Sequence, residues 1–383
     1  MWRSIASNAI TLLIVAVFLF GGVVLWGKSQ YTNRGPLAEA ICVRVAPGST
    51  MRKVSENLEE TGAVSNGSLF RIGADYTEKS GLLKAGAFLV QPGASMSEIA
   101  DIVTRGGAST CGTEVVYRVG VTRSVVQVRE MDAASNRFVE VVSFNPSEGE
   151  APAEFLDVRQ QSDTRYRIAM AEGVTSWQVV DALSKIDLLS GEVEVPAEGS
   201  LAPDSYEVRE GDSRADVIKR MTEAQEVLLA AAWEARDPSI PLKSTEEMLI
   251  LASIVEKETG IAEERGQVAS VFTNRLNQGM RLQTDPTVIY GITKGEGVLG
   301  RGLRQSELRR ETPWNTYVIP GLPPTPIANP GRASLAAVAN PDTTNFIFFV
   351  ADGTGGHAFA ATLAEHNRNV AEWRKIEAQR SSQ

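Results

Sequence analysis

Histidine and cysteine each occur only twice in the 383 residues. With His357 and His366 as the only histidines, the H-E-x-x-H helix of a zinc peptidase is excluded, and at most a weak two-histidine metal site is left. Cys42 and Cys111 have neither the number nor the spacing of a zinc module. No metal and no other cofactor is implied. Basic residues are outnumbered, 38 Lys and Arg against 47 Asp and Glu, and no dense basic block offsets the net charge of -9. Such a surface repels nucleic-acid phosphates, so no nucleic-acid partner is expected. Ser253 and Lys257 miss the S-x-x-K spacing by one residue, which argues against acyl-serine chemistry. What remains is an ordinary globular composition, 43% hydrophobic and 22% charged, in a chain long enough for two or three domains.

One apolar run stands out. Residues 5–26 carry no charge, and about 20 such residues cross a hydrocarbon core as a helix. Trp2 and Trp26 stand near its ends, where amphipathic rings favour the interface. The run is long for a signal-peptide core and no A-x-A-like site follows it, so residues 1–28 read as a short tip and a retained membrane anchor. Arg3 and the terminal amine face Lys28 and Arg34 across it. Charge bias therefore leaves the orientation open. Cys42 and Cys111 suit one disulfide in an oxidising compartment, the alternative being two buried thiols in a reducing one. Their position at the edges of one small domain favours pairing, and closing such a loop is worth roughly 4 kcal/mol.

Residues 42–222 contain a four-fold pattern aligned on Gly48, Gly93, Gly173 and Gly211. Two positions after each comes Thr50, Ser95, Thr175 or Ser213. Apolar residues follow six and ten positions after each glycine: Val54 and Leu58, Ile99 and Val103, Val179 and Leu183, Val217 and Met221. A hydroxyl at the N-cap with apolar residues four and eight positions later spells a turn followed by an amphipathic helix. Short strand-like runs, 43–45, 87–90, 166–168 and 205–208, precede the glycines. Two units with a closing strand at 113–119 make a first module over 42–119, and two more make a second over 165–222. Both resemble LysM-like modules, which bind N-acetylglucosamine polymers; a plain structural α/β repeat is the alternative. Between them, 121–130 and 138–144 alternate as a β-hairpin, and 145–152 is rich in Pro, Glu, Ser and Gly. Residues 120–164 therefore read as an insertion or spacer, and 223–237 as an Ala-rich helix.

The segment after Ser244 carries the chemistry. Ser244 is a plausible N-cap with Glu247 completing a capping box, and Gly260 a plausible stop. At about 100° per residue, Met248, Leu251, Ile254 and Val255 form one apolar stripe. Glu258 falls inside it, while Glu256 points nearly the opposite way. A carboxyl held against apolar side chains keeps its proton towards neutral pH, the property that a glycosidic general acid needs.

This helix and the motifs after it, Gln267-Val-Ala-Ser-Val-Phe-Thr-Asn-Arg-Leu276, Arg281-Leu-Gln-Thr-Asp-Pro-Thr-Val-Ile-Tyr-Gly-Ile292, Thr312-Pro-Trp-Asn-Thr-Tyr317, Gly321-Leu-Pro-Pro324, Ile327-Ala-Asn-Pro-Gly331, Asn340-Pro341, Phe348-Phe-Val-Ala-Asp352, Gly356-His357 and Glu365-His-Asn367, resemble the YceG-like endolytic murein transglycosylases. The likeness takes in the anchor, the LysM-like half with Glu198-Gly-Ser-Leu-Ala-Pro-Asp-Ser-Tyr206, and nearly all of 242–373. It departs from the common pattern at Trp314 and at Thr325-Pro326. The resemblance implies an α+β protein: a transmembrane helix, LysM-like α/β modules and a mixed α+β catalytic domain over 242–377. It also implies cleavage of peptidoglycan glycan strands to 1,6-anhydro ends, a single-pass place in the inner membrane with the C-terminal region in the periplasm, and the peptidoglycan synthesis machinery as partner. A glutamate of the Glu-Lys-Glu motif is the catalytic residue in that family, so the candidates here are Glu256 and Glu258. The stripe favours Glu258. A glycan-binding scaffold and a hydrolase on the same glycan are the competing classes.

Asp285 is the one candidate second carboxylate, but Thr284-Asp-Pro286 ahead of Val288 and Ile289 reads as a helix start with Asp285 as N-cap and Pro286 at N1. Gln283, Asp285, Tyr290, Asn315, Tyr317 and His357 are candidates for contacts to sugar hydroxyls and acetamido groups. For each, a packing, capping or backbone-bonding role is the alternative.

Overall fold

The computed structural model describes residues 2–105, 110–161 and 164–381. Of the expected segments, Met1 of the anchor, 106–109 of the first module and 162–163 of the insertion lie outside these residues. The chain divides into two units, one of 2–115, 127–144 and 150–165, the other of 116–126, 145–149 and 166 onward.

In the first unit, α1 (Trp2–Thr32) holds a stretch from Ile10 to Thr32 that is long and apolar enough to cross a membrane, its most apolar part not buried against protein. Its last turn enters the core of the unit. Tyr31 is buried there, against a glycine of the third helix described below. Next come β1 (Ile41–Val45), α2 (Met51–Glu60), α3 (Gly67–Tyr76), β2 (Gly86–Val90) and α4 (Met96–Thr104). Strands β1 and β2 pair antiparallel with Cys42 opposite Leu89, and Val43, Val45, Leu58, Phe70, Phe88 and Ile99 fill the core. A side-chain atom at Gly73 of α3 would stand 2.2 Å from the Tyr31 ring, which is why that position is glycine. Cys42 is bonded to Cys111 with Cα atoms 5.9 Å apart. Then follow β3 (Thr113–Val119), β4 (Ser124–Asp132), β5 (Arg137–Phe144) and α5 (Ala153–Arg159), the unit boundary cutting β3 and β4. Helix α5 lies where the sequence suggests a spacer. Phe155 and Val158, three apart, bury one face of it, and the Phe155 ring packs edge-on at 5.1 Å from Phe144.

After Arg165 the chain stays in the second unit, through β6 (Arg165–Met170), α6 (Ser176–Ser184), β7 (Ser205–Val208) and α7 (Arg214–Glu234). Strands β6 and β7 pair antiparallel, Ile168 opposite Tyr206. Helix α7 runs unbroken for 21 residues, joining the fourth repeat helix to the Ala-rich segment, because no glycine or proline separates them. Then come α8 (Thr245–Glu258), a 3-10 turn (Ala262–Glu264), α9 (Arg265–Asn277), α10 (Asp285–Thr293), α11 (Gln305–Leu308), α12 (Arg332–Ala339), β8 (Phe348–Ala351), β9 (His357–Ala360) and α13 (Leu363–Ser381). Strands β8 and β9 form an antiparallel hairpin. Helix α8 is buried nearly all round: Met248, Leu251, Ile254 and Val255 are fully enclosed, with Val268, Phe272, Leu335 and Val338 in the same core.

All four repeats take the local form the pattern specifies. Gly48, Gly93, Gly173 and Gly211 have φ of +75°, +74°, +78° and +88°, a region open to glycine at no steric cost. The hydroxyls of Thr50, Ser95, Thr175 and Ser213 each accept the N–H three residues on. The apolar residues at the two helix positions are buried in every copy.

Candidate active site

Helix α8 delivers Glu258 at its C-terminal end. The helix starts at Ser244, whose hydroxyl accepts the Glu247 N–H. The capping box does not close, because the Glu247 carboxylate takes the Lys243 N–H at 2.6 Å in place of that of Ser244. Since the buried body of α8 fixes its axis, the last turn is a rigid mount for the side chains at positions 256 and 258.

Those two carboxylates diverge as the helical wheel requires. Glu256 Oε2 accepts the Gly331 N–H at 3.0 Å, sitting at the N-terminus of α12 where an anion is favoured. Glu258 is half-buried, and its Oε2 accepts the Thr284 hydroxyl at 2.7 Å. Loss of hydration pushes its pKa up; the Thr284 bond and the charges of His357 and Arg275 pull the other way without cancelling it, and the charge of Asp285 adds to the rise. With Oε2 engaged by a donor, Oε1 is the oxygen left to carry a transferable proton. Between the two glutamates, Lys257 donates to the Gly173 carbonyl at 3.1 Å, and burial pushes its pKa down.

Thr284 is held in turn. Its N–H is accepted by the Thr316 hydroxyl at 3.1 Å, and the Thr287 hydroxyl donates to its carbonyl at 2.7 Å. Thr287 and Thr316 are fully enclosed and 2.8 Å apart. Gln283, just before, is exposed and takes φ +50°, a left-handed conformation that costs a non-glycine residue on the order of 1 kcal/mol or more. On the far side Arg275 of α9 is buried, donating to the Ile347 and Leu282 carbonyls at 2.6 and 2.7 Å.

Two expected roles are corrected. Asp285 does not cap α10: Thr284 occupies the N-cap position without a side-chain cap, and Asp285 Oδ1 accepts the Tyr317 hydroxyl at 2.7 Å. Asn315 is not available to sugar. It is fully buried, its amide donates to the Glu307, Leu308 and Arg310 carbonyls, and its oxygen accepts the Tyr317 N–H. Asn315→Ala should therefore cost about 2–3 kcal/mol through orphaned buried carbonyls. It lowers the melting temperature and leaves the glycan KM of the folded fraction near wild type; a substrate contact would show the reverse.

Tyr290 faces away from Glu258's partners. Its hydroxyl bonds Glu198, both groups are pushed to higher pKa by burial, and its ring lies 5.8 Å from Trp314. His357, on β9, places Nδ1 2.8 Å from Glu264 Oε2. Thus Glu258, Gln283, Asp285, Tyr317 and His357 gather around the end of α8, while Glu256, Tyr290 and Asn315 serve the surrounding framework. Sequence reasoning missed Thr284, Thr316 and Glu264. Thr284 had a signal, its place in the Gln-Thr-Asp-Pro motif; the others declare themselves only through contacts distant in the chain. Among the described residues no group of three or more His, Cys, Asp or Glu is arranged to hold a metal.

A half-buried carboxyl whose pKa is pushed up by burial, on a rigid helix end with one oxygen tied to a hydroxyl, has the features that a general acid needs. The chain belongs to the YceG-like family, whose model matches residues 43–372. An endolytic murein transglycosylase of Bacillus subtilis (strain 168) is 27% identical over 353 residues, covering 91% of this chain and 89% of that protein. The endolytic murein transglycosylase of Streptococcus pneumoniae strain D39 is 27% identical over 341 residues, 87% of this chain, and the chain spans 58% of that protein's length. The crystal structure of a yceG-like protein from Listeria monocytogenes aligns with 86% of this chain and 98% of its own at 24% identity and a TM-score of 0.47.

Proposed function

We propose that this protein is an endolytic peptidoglycan lytic transglycosylase that cuts the bond between N-acetylmuramic acid and N-acetylglucosamine, with Glu258 as its single acid and base. The observation that carries the reading is the Glu258 carboxyl, poised to retain a proton and fixed by Thr284. Glu258 protonates the glycosidic oxygen and the bond to the muramic C1 breaks. The resulting carboxylate then takes the proton of the muramic C6 hydroxyl as that oxygen closes on C1, leaving a 1,6-anhydro end and a restored acid. Water is not consumed, so no second carboxylate is required. The engagement of Asp285 by Tyr317 fits this economy. Gln283, exposed beside the acid, is the side chain best placed for the glycan's polar groups.

The same proposal places α1 in the inner membrane as a single span, residues after about 28 in the periplasm, and the Cys42–Cys111 bond in an oxidising space. The repeat-built segments 42–119 and 165–222 act as LysM-like holders of glycan, and the synthesis machinery supplies nascent strands. In detergent, the full-length protein should shorten long uncrosslinked glycan strands by internal cuts, read as a fall in mean strand length before short products accumulate. Strands that are bound but keep their length would make this a glycan-binding scaffold.

A further inference from the structure

Glu264 ends the 3-10 turn that follows α8, and both of its oxygens are committed to the β8–β9 hairpin. Oε1 accepts the His357 N–H at 2.9 Å and Oε2 faces His357 Nδ1 at 2.8 Å. Oε2 also lies 3.5 Å from the hydroxyl of Thr259, the residue after Glu258. A Cβ at Gly356, just before His357, would stand 2.4 Å from Glu264 Oε1 and displace that carboxylate. The Phe349 and Phe359 rings flank the imidazole, with centroids 5.2 and 6.2 Å away. The carboxylate thus holds His357 by one bond to its backbone and one to its ring, and ties it to the end of the catalytic helix.

A carboxylate at Nδ1 keeps the hydrogen on that nitrogen and leaves Nε2 as the working atom of the ring. Nε2 has no protein partner among the described residues, and the side chain retains 16% of its exposure. The ring is also close enough for its charge to act on Glu258. A purely structural histidine has no need of a ring nitrogen without a protein partner on a side chain that keeps some exposure.

The chemistry of the glycan identifies what that edge meets. Within a strand, the muramic sugar is substituted at C1, C3 and C4 and carries an acetamido group at C2, so its one free hydroxyl is at C6. Resting on the reading of Glu258 as the acid, we infer that His357 Nε2 hydrogen-bonds this C6 hydroxyl and aims its oxygen at C1, with Glu264 as the positioning residue for the ring. While Glu258 still carries its proton, the C6 hydroxyl donates its one hydrogen to Nε2. Once the Glu258 proton has gone to the leaving oxygen, the hydroxyl hydrogen turns to the Glu258 carboxylate, so that as the C6 oxygen bonds to C1 the O–H bond breaks and the proton goes to Glu258. His357 is unchanged at the end.

Two replacements separate this role from a structural one. Asn places an amide near Nδ1 and can keep the Glu264 contact but not the Nε2 edge, whereas Gln reaches the Nε2 position. His357→Asn should lower kcat by about 10-fold or more, the loss of one well-placed hydrogen bond, at little change in KM or melting temperature. It should also raise the share of products with reducing muramic ends, because an intermediate that C6 captures slowly is open to water. His357→Gln should recover part of the rate and of the anhydro share. Wild-type rates and wholly anhydro ends in His357→Asn, or rescue by Asn and not by Gln, overturn the inference while leaving Glu258 in place. A wild-type enzyme that yields reducing ends alone would instead bring down the proposed function.

Discussion

Glu258→Gln should lower strand cleavage by roughly 10²-fold or more while glycan binding survives. The amide keeps the shape and can still accept the Thr284 hydroxyl, so the mount is undisturbed and only the transferable proton is lost. Glu256→Gln should be far milder in turnover, because Glu256 serves the Gly331 N–H and not the cleft. The same change has an opposite effect on stability. Burial raises the Glu258 pKa above its ordinary 4.5, so above pH 4.5 the folded chain binds more protons than the unfolded one, and stability falls as pH rises through that window. Glutamine carries no such proton. The melting temperature of Glu258→Gln should therefore exceed that of wild type, with a gap that widens from pH 4.5 upward until the folded carboxyl is fully ionised. A gap that narrows, or a larger activity loss for Glu256→Gln, would move the acid to Glu256.

Removing the Cys42–Cys111 bond should cost the first unit about 4 kcal/mol, the loop-closure value for a separation of 69 residues. The bond joins β1 to the segment leading into β3, and so closes the chain around the β1–β2 pair and its three helices. Reductant should lower the first-unit melting temperature of wild-type protein and leave a Cys42→Ser, Cys111→Ser double variant unmoved. Peptide mapping without reductant should recover the two cysteines in one linked peptide. Two freely alkylated thiols in protein taken from its native compartment would contradict both the bond and the proposed periplasmic placement.

What the sequence reveals here depends on how local the physics is. The four repeats were legible because a glycine with positive φ, a hydroxyl N-cap and two apolar positions all lie within eleven residues, and each acts on its own backbone. The stripe of α8 was legible for the same reason, and with it the divergence of Glu256 from Glu258. For Asn315 the sequence leaves sugar contact and packing open, because amides that hold three backbone carbonyls look like amides that hold sugar; only burial separates them. Asp285 was misjudged by one residue, since helix starts are uncertain by that much, and its true partner Tyr317 lies 32 residues away. Glu264 was invisible because its partner His357 stands 93 residues further on. Helix α5 and the packing of its Phe155 on Phe144 lie within the 120–164 stretch, where the polar neighbours at 145–152 give no sign of them.

The measurement that bears most directly on one carboxylate serving both steps is the mass of the new muramic ends after digestion of glycan strands in ¹⁸O-labelled water. Intramolecular capture by the C6 hydroxyl predicts 1,6-anhydro ends without label, formed roughly 10²-fold or more slowly in Glu258→Gln. Reducing muramic ends that each carry one ¹⁸O would contradict it, make the enzyme a hydrolase, and return Asp285 as the second carboxylate.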